Sequence, residues 1–414
     1  HLEIIQKFNF VDAVIRGEAE EPLLKFVETL EKRKEIRPIP NATIRDKDGK
    51  IKIGGMMRPR IAIDELNFTR LDLVEPKRSI FSEDMPPHWS LPVCRGCLYN
   101  CVSCGGSAYS YEAYLRRERP SFRSPSKIAE DLRKLSEQGV ELVFLFQDPR
   151  MGGKKYCRDL INRIREERVE LMRLSMELFD PAGEDYIREL SRVNIPLTLT
   201  ISPESGVDSV RRAHGRNYTN EELFKTIKAC QKHHVYLIVF FMLALANDTW
   251  ETIEETWKLW EKICLMDKAA CNELYPMTVN YAFGPMILLD PGSPAFDFPE
   301  KNGYRLVFKN FEDYVRGLSL PSWHYWISYE TRFLNRNEIV ELILRSIERS
   351  IDLREKYGIY DRAQAARERI YHVYANRFMI KEVERAMRIN DENERLARLE
   401  ELKETLDRYM GRAY

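Results

Sequence analysis

The chain has 414 residues, enough for two or three domains around a substantial hydrophobic core. Its 65 Lys and Arg balance its 65 Asp and Glu, and this zero net charge disfavours a nucleic-acid partner. The longest apolar run, residues 235–246, is too short to span a bilayer, so we expect no transmembrane segment. Four of the eight cysteines lack the paired spacing of a disulfide scaffold, so we expect a protein of the reducing cytoplasm. These four are Cys157, Cys230, Cys264 and Cys271.

Residues 1–89 precede the regular part of the pattern. Pro22 and an apolar stripe predict a helix in EEPLLKFVETLEKRKE. The sequence TIRDKDGKIKIGG predicts a hairpin that turns at Asp48 and Gly49. The remaining residues, up to Pro92, are interpreted as an extended connecting arm.

Four cysteines, Cys94, Cys97, Cys101 and Cys104, fall within eleven residues, and the last three are spaced C-x₃-C-x₂-C. Three thiolates can hold three irons of a [4Fe–4S] cluster and leave the fourth iron open to a cosubstrate. Cys94 is then interpreted as a small buried residue at the end of a strand.

Two other sites with four cysteines remain alternatives. A structural zinc site usually takes two well-separated C-x₂-C pairs. A closed electron-transfer cluster of the ferredoxin type has a different order of gaps and a proline after the last cysteine, where this chain has Gly105. The spacing therefore favours the open cluster over either closed site.

From the cysteine loop onward, apolar strands alternate with amphipathic helices. Ser124 or Ser126 can cap the first helix, and a capping box formed by Thr219 and Glu222 opens a later one. Alternation of this kind predicts a parallel sheet with right-handed crossovers and a site at the carboxyl ends of its strands. The predicted strands are residues 89–91, 140–147, 170–179, 195–202, 235–244 and 272–284.

After residue 295 the pattern is irregular and then helical. Apolar residues recur at helical spacing in residues 335–358, and the last 32 or so residues predict a highly charged helix with a solvated face. Aromatic residues cluster in PSWHYWISYET, which is interpreted as a core seam or, alternatively, as a wall of a substrate pocket. Tyr281 and Asp290 lie near the end of the sixth strand, and the sequence leaves a structural and a functional role equally open for each.

The cysteine triplet resembles the defining motif of the radical S-adenosylmethionine (SAM) enzymes. The resemblance implies a partial (β/α)6 TIM-like barrel over residues 90–295, between an N-terminal region (1–89) and a C-terminal helical domain (296–414). It implies a [4Fe–4S] cluster on Cys97, Cys101 and Cys104, SAM as cosubstrate, and an electron donor of the flavodoxin or ferredoxin type. In such enzymes the cofactors perform the bond chemistry, while the protein supplies positioning and electrostatics.

The resemblance also assigns SAM contacts at the strand ends. The SPESG segment resembles the family motif near the ribose and methionine of SAM, where Ser202 and Glu204 can hydrogen-bond a hydroxyl or an ammonium. Arg216, in preference to Arg212, can pair with the SAM carboxylate. A turn with a surface Glu204 is the alternative. The other candidates at the ends of the second and third strands are Gln147, Asp148 and Glu177.

Two departures from the family pattern affect the adenine contacts. The residue before the last cluster cysteine is usually aromatic, but here it is Ser103, with Tyr99 as a substitute. The fifth strand usually ends in glycines, but here Ala244 and Ala246 stand in that segment, and each adds a methyl group where close backbone approach is expected.

A narrower resemblance is to the cobalamin-binding type of radical SAM enzyme. The segment FVDAVIRGEAEEPLLKFVETL resembles the end of a cobalamin-binding domain and its linker, so residues 1–89 are interpreted as the trailing edge of such a domain. The segments ILLDPGSPAF and PSWHYWISYET resemble downstream parts of the same group. The cobalamin motif D-x-H-x-x-G is absent, since none of the seven histidines has an Asp two positions before it. We expect either that this domain lies in a missing N-terminal piece or that the chain keeps only its trailing edge.

These resemblances imply cobalamin-dependent methylation of an unreactive carbon in a small-molecule, lipid or peptide substrate. Coupling or rearrangement of a carbon skeleton without cobalamin is one alternative, and a non-catalytic four-cysteine iron–sulfur or zinc protein is another. An RNA-modifying enzyme of the same family is disfavoured by the zero net charge.

Overall fold

The computed structural model describes residues 1–33, 37–74, 86–270, 279–284, 287 and 289–410. At its centre is a six-stranded sheet in which every neighbouring pair is parallel and the spatial order follows the chain. The prediction of an α/β fold built from six consecutive strand–helix units is therefore confirmed. The strands are His88–Pro92, Leu142–Phe146, Arg173–Leu178, Leu197–Glu204, Tyr236–Met242 and Val279–Gly284.

Helices connect the strands, as the alternating pattern predicts. Ser124 caps the first, since its side chain accepts a hydrogen bond from the amide of Lys127, and the capping box of Thr219 and Glu222 forms. The predicted sixth strand lies partly outside the described residues, and its described part begins at Val279. Cys271 lies outside the described residues. The connecting helices are Pro125–Glu137, Gly153–Glu166, Glu184–Leu190, Asn220–Lys232 and Trp250–Ala270.

Burial alternates along the fifth strand. Leu237, Val239 and Phe241 are fully buried, whereas the residues between them are only half-buried. The buried set belongs to the main hydrophobic core, to which the connecting helices also contribute. The half-buried set includes Met242, which lines the large cavity described below. The two faces of this strand therefore serve the core and the cavity respectively.

The N-terminal region contains a small antiparallel sheet. The predicted hairpin is present, with strands Ala42–Arg45 and Ile51–Ile53, and a third strand, Ala13–Ile15, was not predicted. The predicted helix is Glu20–Arg33, but its stripe of Leu23, Leu24, Val27 and Leu30 is 41–59% exposed. Two short 3₁₀ turns, Ile63–Glu65 and Leu71–Leu73, interrupt the connecting arm, and residues 75–85 of that arm lie outside the described residues.

The C-terminal region packs against the sheet's outer helices. The long predicted helix is Arg336–Lys356, and Ser346 on it accepts a hydrogen bond of 3.0 Å from the indole of Trp257. The aromatic segment forms a seam, because Tyr329 is fully buried and donates to the carbonyl of Ala244, while Trp323 donates to Asn376. The proposed domain boundaries stay a prediction. No helix in the described part of the chain combines the length and apolarity needed to cross a membrane.

The remaining elements are short or lie at the two ends of the chain. Their bounds are Leu2–Lys7, Cys94–Arg95, Ala108–Leu115, Ser121–Phe122, Pro149–Gly152, Asp208–Ala213, Pro294–Asp297, Tyr304–Leu306, Phe311–Leu318, Trp323–Trp326, Tyr329–Thr331, Arg362–Arg369, Ile370–Tyr374, Ala375–Met387 and Glu392–Met410.

Candidate active site

The cysteine loop leaves the first strand at Pro92 and separates its four cysteines into two environments. Cys97, Cys101 and Cys104 line a cavity of about 690 Å³ at the carboxyl ends of the strands. Cys94 is not part of the cavity lining. It is 1% exposed, pairs with Phe122 in a two-stranded ladder, and its Sγ lies 3.6 Å from the carbonyl of Gly96.

Backbone contacts hold the loop in place from outside the cavity. The amide of Val102 donates to the carbonyl of His214 at 3.1 Å. Gly215 has φ +100°, and a Cβ there would lie 2.8 Å from the carbonyl oxygen of Asn100 and 3.0 Å from the Cα of Cys101. Only glycine allows this approach without strain. Residues 213–215 therefore act as a backing for the loop.

Two backbone amides of the loop point at cysteine sulfurs. The amide of Tyr99 points to the Sγ of Cys97 at 3.4 Å, and the amide of Gly106 points to the Sγ of Cys104 at 3.3 Å. Hydrogen bonds of this kind favour the charged form of the acceptor, whereas burial is the larger effect and raises the pKa of Cys97 and of Cys104. Among the described residues, which include all four loop cysteines, no three His, Cys, Asp or Glu side chains are gathered to hold a single metal ion.

The ends of the strands supply the polar wall of the cavity. Gln147, Glu177, Ser202, Glu204 and Arg216, all predicted site residues, line it together with the cysteines. Gln147 and Glu204 have φ of +75° and +65°, although neither is glycine. Such conformations cost free energy and concentrate at functional sites. The carboxylate of Glu177 accepts a hydrogen bond from the amide of Gln147, and burial raises the pKa of Glu177.

Glu204 and Arg216 form an incompletely satisfied pair at the back of the cavity. Their closest atoms, Arg216 Nη2 and Glu204 Oε1, are 3.5 Å apart, and Arg216 also donates to the carbonyl of Phe179 at 3.3 Å. Glu204 Oε2 and Arg216 Nε are buried and, among the described residues, have no hydrogen-bond partner. Burial raises the pKa of Glu204 to about 7, against the opposing effect of Arg216. Buried polar atoms without partners are costly, so this pair fits a polar ligand that completes it.

His214 is a functional candidate that sequence reasoning missed. Its Nε2 lies 3.3 Å from the hydroxyl of Ser103, and the side chain lines the cavity while being 4% exposed. Burial, with the nearby charge of Arg216, lowers the pKa of His214 to about 3, so the imidazole is neutral. His214 is 111 residues from Ser103 in the sequence, and no spacing pattern signals the contact.

Asp148 does not line the cavity, in contrast to the other predicted SAM contacts. Its carboxylate accepts hydrogen bonds from the guanidinium of Arg150 and, at 2.8 Å, from the amide of Phe179. It also caps the short helix Pro149–Gly152. These contacts hold the carboxylate at the end of the second strand, and its contact with SAM stays a prediction.

The cavity differs from the expectation at the fifth strand. Neither Ala244 nor Ala246 lines it; the lining residues there are Met242 and, on the sixth strand, Gly284. A Cβ on Gly284 would lie 3.0 Å from the sulfur of Met242, so these two lining residues pack closely against each other. Tyr99, the predicted aromatic substitute, lines the cavity and donates to Asp180.

Tyr281 and Asp290, whose roles the sequence left open, lie in different environments. Asp290 lines the cavity, and its carboxylate accepts a hydrogen bond of 2.8 Å from the amide of Gly105, directly after the last loop cysteine. Tyr281 is fully buried, stacks on Trp260 and bonds to Ser350, which places it in the core.

These features define a class of protein: an α/β enzyme with an open three-cysteine site at the carboxyl edge of a parallel sheet. Residues 91–259, from the cysteine loop into the helix after the fifth strand, match the model of the Radical SAM superfamily. This match confirms the predicted radical SAM domain, and the [4Fe–4S] cluster and SAM are the cofactors that this superfamily uses.

Two curated relatives match a large part of the chain. An uncharacterized methyltransferase of Pyrococcus horikoshii is 22% identical over 365 residues, covering 87% of this chain and 74% of that protein. The anaerobic magnesium-protoporphyrin IX monomethyl ester cyclase of Cereibacter sphaeroides is 22% identical over 270 residues, covering 62% of this chain and 42% of the cyclase.

Two solved structures share the fold. The radical SAM methyltransferase TsrM from Kitasatospora setae, with tryptophan and a SAM analogue bound, matches with a TM-score of 0.54 and 14% identity, over 74% of this chain and 58% of TsrM. The cobalamin-dependent SAM radical enzyme OxsB, with aqua-cobalamin bound, matches with a TM-score of 0.57 and 11% identity, over 93% of this chain and 58% of OxsB. The chain thus spans little more than half of each of these two proteins.

Proposed function

We propose that Cys97, Cys101 and Cys104 hold a [4Fe–4S] cluster whose open iron binds SAM, and that the enzyme uses the resulting radical to functionalise an unreactive carbon. The observation that carries this proposal is the separation of the cysteines, because three line one cavity and Cys94 is buried outside its lining. A closed four-thiolate site would need Cys94 at the cavity.

The polar wall supports a role in holding SAM. When bound, the cluster and SAM supply the radical chemistry, while the chain binds and orients them. Arg216 can pair with the SAM carboxylate through its unpartnered Nε, and the unpartnered Glu204 Oε2 can accept from an ammonium or a ribose hydroxyl. Ser202, Gln147 and Glu177 supply further polar groups on the same wall. Neutral His214 fixes the hydroxyl of Ser103 beside the last cysteine.

Transfer of a methyl group to carbon, with cobalamin as methyl carrier, is the reaction that we propose. It is supported by the methyltransferase name of the Pyrococcus relative and by the cobalamin-dependent OxsB, which shares the fold. The motif D-x-H-x-x-G is absent from these 414 residues, so the proposal does not rest on a histidine ligand of that kind. The substrate is proposed to be a small molecule, a lipid or a peptide.

Rearrangement of a carbon skeleton without cobalamin is the second candidate. The observation that favours it is the match to the protoporphyrin ester cyclase over 62% of this chain. A cobalt assay with a visible spectrum of the anaerobically purified protein distinguishes the two. Methylation predicts cobalt and incorporation of the labelled methyl group of SAM into product, whereas skeletal rearrangement predicts neither.

SAM cleavage by anaerobically reconstituted protein tests the proposed site. Cys101→Ala should lose 5′-deoxyadenosine formation, because a cluster with two thiolates is poorly held. Cys94→Ala is the matched control in the same loop and should retain both cluster and cleavage. Cleavage that survives Cys101→Ala, or a cluster lost only in Cys94→Ala, would contradict the assignment.

A further inference from the structure

The outer side of the cysteine loop carries a second, smaller cavity. It measures about 110 Å³ and is lined by Val102 of the loop, by His214, and by the charged side chains of Lys301 and Arg332. His214 lines both cavities, so its side chain links the smaller cavity to the candidate cluster site. The same imidazole contacts the hydroxyl of Ser103, which directly precedes the last cysteine.

The surface around this cavity is cationic. Arg212, Lys301 and Arg332 are exposed, and within the described ranges none of the three forms an ion pair. Nearby cations differ: Arg211 pairs with Asp208, and Arg305 pairs with Glu330. Glu300, which directly precedes Lys301, is also exposed, so it and the three exposed cations together carry a net positive charge although the whole chain has none.

An exposed apolar residue lies on the same loop. Leu98, which follows the first of the three cysteines, is 57% exposed, and Asn100 beside it is also exposed. The carbonyl of Asn100 and the Cα of Cys101 rest directly on Gly215. The loop therefore reaches the surface through Leu98 and Asn100. Residues 213–215 contact the loop at Asn100 through Gly215, and they line the smaller cavity through Ala213 and His214.

We propose that this surface, defined by Leu98, Asn100, Arg212, Lys301 and Arg332, is the docking site for an acidic one-electron carrier protein. The inference rests on the proposed function, because an open cluster that cleaves SAM must receive an electron. One electron leaves the carrier, which is oxidised by one unit, and enters the cluster, which is reduced by one unit; no proton or covalent bond is transferred. The large cavity is the proposed place of SAM and substrate, so a partner protein would approach the loop from its outer side.

The size and charge of the surface suit such a partner. Electron-transfer encounters are small and transient, and complementary charge raises their association rates. An acidic carrier would satisfy the three cations, while Leu98 supplies an apolar contact near the first cysteine. A nucleic acid would meet the same charges, but a patch of three cations on a neutral protein is small for that purpose.

A binding measurement without turnover tests the proposal. An acidic flavodoxin and an acidic ferredoxin, both oxidised, are titrated into the cluster-loaded enzyme at low and high salt. The double variant Lys301→Glu with Arg332→Glu should bind the preferred carrier on the order of tenfold more weakly at low salt, and salt should have less effect on it. The matched control, Lys225→Glu with Lys228→Glu, makes the same charge change on exposed positions of the helix Asn220–Lys232 and should bind like wild type.

A kinetic arm separates this proposal from the proposed function. With the reduced carrier as donor, SAM cleavage by the patch variant should fall by a similar factor, whereas with dithionite it should equal wild type. Equal carrier binding by wild type, patch variant and control, or no salt-dependent binding of either carrier, would overturn the docking site. Failure of the wild type to cleave SAM with dithionite would instead overturn the proposed function.

Discussion

At the scale of single residues, Glu204 sits where two effects oppose each other. Burial favours its neutral form, and the guanidinium of Arg216, 3.5 Å away, favours the carboxylate. Burial is the larger effect and raises the pKa of Glu204 to about 7. A cationic or hydroxyl ligand at its unpartnered Oε2 would reverse the balance.

The raised pKa of Glu204 predicts a pH dependence of stability. The native carboxyl holds its proton up to about pH 7, whereas the unfolded one loses it near its ordinary value of 4.5. Between these values the native state binds more protons, so the free energy of unfolding should fall as pH rises, by up to ~1.4 kcal/mol per pH unit. Glu204→Gln cannot ionise and should flatten the profile.

Urea unfolding curves of ligand-free protein, recorded at several pH values between pH 5 and pH 8, check this expectation. Glu28→Gln, on the exposed side of the N-terminal helix, is the control and should keep the wild-type slope. Parallel profiles for wild type and Glu204→Gln would show that Glu204 is not the titrating group.

At the scale of secondary-structure elements, Gly206 explains the end of the SPESG segment. A Cβ at this position would lie 2.6 Å from the Cα of Thr256 and 3.1 Å from the carbonyl of Glu255. The amide of Gly206 also donates to the hydroxyl of Thr256 at 2.9 Å. The fourth strand therefore ends directly against the helix Trp250–Ala270, which fixes the position of Glu204 two residues earlier.

Gly206→Ala should destabilise the protein by about 1–3 kcal/mol, because the added methyl group meets helix backbone and not a flexible side chain. The midpoint of urea unfolding measures the loss. Gly55→Ala is the control, since nothing lies within 4 Å of its added Cβ. Equal stability of Gly206→Ala and wild type would mean that the helix shifts freely, contrary to the tight packing described here.

The elements predictable from sequence were those with long, regular patterns. Continuous apolar runs predicted the strands of the sheet, and 3.6-residue spacing predicted the helices between them. The strand Ala13–Ile15 and the helix Asp208–Ala213 are too short to show a period. The cysteine triplet was visible because its ligands are close in sequence, whereas His214 and Asp290 reach the loop only through the folded chain.

At the scale of the whole molecule, the N-terminal region is bound to the cysteine loop through Glu18. Its carboxylate accepts hydrogen bonds from Arg117 at 2.6 and 2.9 Å and from Arg95 at 3.0 Å. Glu20 adds a contact of 2.7 Å to Arg95. Arg95 lies between Cys94 and Cys97, so residues 1–33 are coupled to the loop that holds the proposed cluster.

Glu18→Gln should lower the free energy of unfolding by about 1–3 kcal/mol, because Arg117 loses its carboxylate partner and Arg95 is left with Glu20 alone. It should also speed the loss of iron from reconstituted protein to a chelator, followed by absorbance. Glu28→Gln, in an exposed pair with Lys32, should change both quantities little. Iron loss at the wild-type rate in Glu18→Gln would show that the loop is held without the N-terminal region.

The central claim is that one iron of the cluster has no cysteine ligand. The electron paramagnetic resonance spectrum of the reduced, reconstituted protein, recorded before and after addition of SAM, tests it most directly. We predict that SAM shifts the spectrum in wild type and in Cys94→Ala alike, because SAM binds the open iron. A spectrum that SAM leaves unchanged, in a protein shown to contain a full cluster, would contradict the account.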